Sequence, residues 1–176
     1  MTLDKYCMRQ NTGVSRLIIA FVAGFISVLL FHQVMLAVLQ SIGIAPAKLA
    51  PYAMTATQPF GIPRVFSLAF WGGVWGIALV VFVSFFRQGI GSWGAALLFG
   101  ALAPSLINWF VVMPLKGEPV GGGWKPAPMA TALIVNGVWG LGTVLLFRLF
   151  ARSPLGRNQH NSLADRSREQ SQRIHR

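Results

Sequence analysis

The chain is poor in acid, in cysteine and in charge within its long apolar runs, and each shortage removes a class of function. Asp and Glu number 4 against 15 Lys and Arg. Three of the acids (Asp4, Asp165, Glu169) lie near the ends, and Glu118 stands alone in a connection between apolar runs, so paired-carboxylate hydrolysis has no second group there. Cys7 is the only cysteine, which excludes an internal disulfide and leaves a structural zinc site without thiol partners. His32 is the only titratable side chain well inside an apolar run; His160 and His175 are in the C-terminal tail. A two-histidine haem therefore lacks its second ligand, and zinc or copper lacks a second His, Cys or acid. Nor can a Ser-His-Asp set assemble, because its members are split between depths and compartments. No metal and no cofactor is expected.

What is present is apolar bulk. Hydrophobic residues make up 54% of the 176 and charged residues 11%, a balance too greasy for a soluble domain. The charge is confined almost wholly to ends and connections, as insertion requires, since an ionised group at mid-bilayer costs at least about 2.5 to 3.5 kcal/mol. The net charge of +11 is read as an orientation signal and as contact with anionic lipid, and nucleic-acid binding is not expected.

Four runs are long enough to span a bilayer, and they predict an all-α integral membrane four-helix bundle. A polar N-terminal segment, 1–16, precedes spans at about 17–39, 64–86, 92–115 and 129–151, and a basic tail follows at 152–176. The first run is too long for a signal-peptide core and is read as an uncleaved helix. Pro63 and Pro128 suit the first turn of the second and fourth helices, where a missing N–H has no partner to lose. Pro104 lies inside the third, where it frees a carbonyl one turn back that Ser105 is placed to compensate. Gly121, Gly122 and Gly123 form a flexible turn, because phosphate binding by such glycines needs a strand-turn-helix setting absent here. The tail, with six arginines and little apolar surface, is expected to stay disordered or to lie on anionic lipid.

With both termini on one side, that side carries 11 of the Lys and Arg and the other carries Lys48, Arg64, Lys116 and Lys125. The bias predicts cytoplasmic termini. The absence of a transit peptide or glycosylation acceptor points to a bacterial cytoplasmic (inner) membrane.

The block Gly73-Val74-Trp75-Gly76 recurs as Gly137-Val138-Trp139-Gly140. Aligning the blocks sets Gly72 opposite Asn136 and brings Pro63 within one residue of Pro128. A second offset sets Gly24 opposite Gly100, Leu30 opposite Leu106 and His32 opposite Asn108, which predicts a parallel repeat of two helices and two. Gly24, Gly72, Gly73, Gly76, Gly137 and Gly140 are the expected packing residues, because glycine lets helix backbones approach closely in lipid.

His32, Asn108 and Asn136 fall at similar depth, roughly 5 to 8 Å toward the loop side of the bilayer centre. They are expected to form one polar layer, either an interhelical hydrogen-bond device or the floor of a small ligand pocket. The leading functional expectation is a non-catalytic accessory protein that packs against a membrane-protein partner or a second copy of itself. Small-molecule binding or permeation through the polar layer is the alternative, and a lipid or quinone enzyme using His32 and Glu118 ranks last.

Overall fold

The computed structural model describes residues 3–86 and 89–152, with side chains from residue 13 onward. It holds four helices long and apolar enough to cross a membrane, Gly13–Ser41, Arg64–Val83, Ile90–Leu115 and Pro126–Arg152, packed as a bundle. The first comprises α1 (Leu3–Ser27), a π turn (Val28–His32) and α2 (Gln33–Ser41). The second is α3 (Arg64–Val83). The third comprises α4 (Ile90–Ile107), a second π turn (Asn108–Val112) and the short α5 (Met113–Leu115). The fourth is α6 (Pro126–Arg152).

The first helix begins well before the apolar run predicts, because polarity marks where lipid stops and not where a helix stops. Residues 3–16 contain no proline, and the helix continues through them. Conversely α3 stops at Val83, short of the apolar Phe85 and Phe86. The expectations for the tail beyond Arg152 and for the charge at Arg87 lie outside the described residues.

Each helix pair closes on small residues, and the two pairs close alike. A Cβ placed on Gly24 would sit 2.9 Å from Gly76 Cα, and one on Gly100 would sit 2.9 Å from Gly140 Cα. In the same registers Gly76 faces the Ala20 carbonyl and Gly140 the Ala96 carbonyl, while Phe21 covers Gly73 and Leu97 covers Gly137. Every one of these residues stands opposite its partner under the two offsets that match the halves of the sequence. Because lipid tails are as apolar as leucine, helices in a bilayer associate by close packing and hydrogen bonding, and glycine-to-backbone contact supplies the first. The helix α6 is the centre of the bundle, with 44% of its most apolar stretch buried against 22% for that of the third span.

At the loop end the connection from 42 to 61 is more ordered than its proline-rich sequence predicts. Its strand β1 (Ala56–Thr57) pairs antiparallel with β2 (Ile62–Pro63), and Arg64 and Val65 donate backbone N–H groups to Thr55 and Ala53. The second connection turns through Gly121 (φ 63), Gly122 (φ 61), Gly123 (φ 73) and Trp124 (φ 57), a left-handed run that only glycine enters at little cost. Trp124 then lies edge-on to Phe110, with ring centroids 6.0 Å apart, which ties the turn to the third span.

Candidate functional site

The polar side chains of the bundle fall into four groups, and the loop end holds the first. Gln33 is 2% exposed, and its side-chain oxygen accepts the Tyr52 backbone N–H at 2.8 Å. Its amide nitrogen stands 3.4 Å from His32 Nδ1. A π turn widens the helix so that Gln33 N–H reaches back to the Val28 carbonyl, and the next carbonyl, Leu29, is passed over when the register returns to α. The Tyr52 hydroxyl donates to the Leu29 carbonyl at 2.8 Å. The widened turn, the buried amide and the tyrosine thus form one latch between the first connection and the first span.

The second group is on the third and fourth spans. Asn136 Nδ2 donates to Ser105 Oγ at 3.0 Å, and Ser105 is fully buried. Asn108 opens the second π turn, and its side chain makes no hydrogen bond among the described residues. The structure therefore does not link His32, Asn108 and Asn136 into one hydrogen-bonded layer. His32 is engaged by its own neighbour in sequence, and Asn136 by a serine one turn before Asn108.

Polar groups that sequence reasoning passed over join the two helix pairs. Trp139, 2% exposed, donates its indole N–H to the Gly24 carbonyl at 3.0 Å. Ser27 and Thr143 both donate to the Trp139 carbonyl, at 2.8 and 2.9 Å. Phe31 lies over Gly142, whose missing side chain makes the room. Nothing in the sequence distinguished Trp139 from Trp75.

At the end nearest the termini, Arg148 Nη2 donates to Ser92 Oγ at 2.7 Å, and its guanidinium lies 4.8 Å from the centre of the Trp93 ring. Ser92 Oγ donates in turn to the Gly89 carbonyl at 2.7 Å. Arg148 is thus held by a hydroxyl and a ring face, which lets a cation sit on the last turns of a mostly apolar helix.

Among the described residues, every buried polar side-chain atom has a partner, and no group of three or more His, Cys, Asp or Glu could hold a metal ion. Glu118 sits in the second connection and His32 in the first span. The hydrogen bonds of these side chains tie helices to one another and to the first connection. No family model, no curated protein and no solved structure matches the chain, so the reading of this site rests on its own geometry.

Proposed function

We propose that the protein is a non-catalytic, membrane-embedded accessory protein that docks against a larger membrane assembly, with both termini in the cytoplasm of a bacterial cell. The observation that carries this reading is that, among the described residues, the buried polar side-chain atoms of the bundle all have hydrogen-bond partners. Gln33 fastens a connection, Ser105 receives Asn136, and Ser27 and Trp139 clasp the two helix pairs. Such bonds give a bundle one fixed arrangement in a solvent that offers backbone and side chains no other partners. The distribution of Lys and Arg supports the orientation.

The experiment is affinity isolation of the full chain from native membrane in mild detergent. A membrane protein recovered in constant ratio is the expected result. Recovery of the chain alone, together with a transport or binding activity abolished by His32→Ala or Asn108→Ala, would replace this reading with that of a small-molecule site.

A further inference from the structure

The ends of the two helix pairs nearest the termini differ at matched positions, and the difference leaves a groove in one of them. The offsets that superpose Gly24 on Gly100 and Gly76 on Gly140 also set Gly13, Arg16 and Leu17 opposite Gly89, Ser92 and Trp93. They set Val80, Val81 and Ser84 opposite Val144, Leu145 and Arg148. In the second pair this place is shut. Arg148 reaches across to Ser92 at 2.7 Å and lies on Trp93.

In the first pair the arginine and the serine have changed sides, and they do not meet. Ser84 Oγ turns back to its own Val81 carbonyl at 2.6 Å, and a leucine stands where the other pair has tryptophan. A groove of about 250 Å³ remains, lined by Gly13, Arg16, Leu17, Val80, Val81 and Ser84. Arg16 is exposed there, with the Phe147 ring 6.0 Å away and no carboxylate partner among the described residues. Asp4 is more than three turns up the same helix, about 18 Å along its axis.

We propose that this groove holds one anionic phospholipid, its phosphate on the Arg16 guanidinium and an acyl chain along Leu17, Val80 and Val81. The depth is right for a headgroup: Arg16 is near the start of the first span, and Ser84 directly follows the last residue of the second. The division of chemistry is also right, with a forked cation at the rim and an aliphatic floor behind it. The second pair fills this place with its own arginine on a serine and a tryptophan, and the first has the arginine but leaves its partner and the bulk to the bilayer.

Native mass spectrometry of the full chain in mild detergent tests this, with phosphatidylglycerol, phosphatidylcholine and inorganic phosphate added in separate arms. The expected result is one phosphatidylglycerol retained per chain, preferred over phosphatidylcholine by about tenfold, because the choline ammonium cancels the headgroup's net charge beside Arg16. Inorganic phosphate does not displace it. Arg16→Gln removes the charge and Leu17→Trp fills the groove, and each weakens retention by about tenfold. Arg64→Gln, at the opposite end of α3, leaves retention unchanged. Arg16 is exposed, so its substitution decides the matter even where Leu17→Trp fails to fold. Equal retention of the two lipids, displacement by inorganic phosphate, or retention indifferent to Arg16→Gln would each overturn the proposal.

Discussion

Along α1 and α6 the two helix pairs are joined by hydrogen bonds; along α3 and α4 they are joined by rings. At the first seam Ser27 donates to the Trp139 carbonyl, the Trp139 indole donates to the Gly24 carbonyl, and Phe31 covers Gly142. At the second, Trp75 lies edge-on to Phe99 with centroids 6.1 Å apart, and Phe82 lies 4.9 Å from Phe99. No hydrogen bond crosses it among the described residues. Trp75 and Trp139 hold matched positions, yet only one donates to a backbone carbonyl of the other pair. The positions matched to Ser27, Phe31 and Gly142 are Ala103, Ile107 and Ala78, which offer no side-chain hydroxyl to the Trp75 carbonyl. A duplicated pattern thus keeps its glycine contacts within each pair and differs between the pairs. The hydrogen-bonded seam fixes register, and the ring-lined seam packs without specifying it.

The largest effect that would sharpen this contrast comes from adding bulk to each seam at matched positions. Gly142→Leu would drive a side chain into the Phe31 ring and Ser27 Oγ, at a cost of about 2 to 3 kcal/mol. Ala78→Leu, at the exposed counterpart, should cost less than about 0.5 kcal/mol. Reversible unfolding in mixed micelles measures both, and equal costs would erase the distinction.

Next in size is the tryptophan pair. Trp139→Phe removes a buried donor and leaves a gap, and about 1 to 2 kcal/mol of stability should go with it. Trp75→Phe keeps its edge-on contact with Phe99 and should cost about 0.5 kcal/mol. Fluorescence-monitored unfolding reads this comparison, and a larger loss at Trp75 reverses it.

Smallest is Ser27→Ala, which deletes one interhelical hydrogen bond and should cost about 0.6 to 1 kcal/mol, in line with such bonds in membranes. The same unfolding assay applies. A neutral substitution would leave the indole of Trp139 as the seam's only polar tie.

The four spans were legible in the sequence because lipid demands uninterrupted apolar length, and the glycine blocks were legible because close approach in lipid demands small residues. The partners of the polar groups were not. A helix that is apolar all round carries no stripe to fix its rotation, so depth could be read for His32, Asn108 and Asn136 but facing could not. The observed bonds turn on that rotation: Asn136 finds Ser105, and Gln33, which composition did not set apart from His32, holds Tyr52. The π turns were equally hidden, since one carbonyl passed over by the helix ladder leaves no mark on hydropathy. Pro104 did mark the right region, with Ser105 beside it, but the serine serves a neighbouring helix.

The central claim is that the first span and α6 are fastened together, in part through the contact of Phe31 with Gly142, and a double-mutant cycle in lipid bicelles tests it most directly. Removing the ring makes room for the leucine, so Phe31→Ala combined with Gly142→Leu should be more stable than the sum of the single losses by at least about 1 kcal/mol. Losses that simply add would mean that the two residues do not meet in the membrane, and the hydrogen-bonded seam would be contradicted.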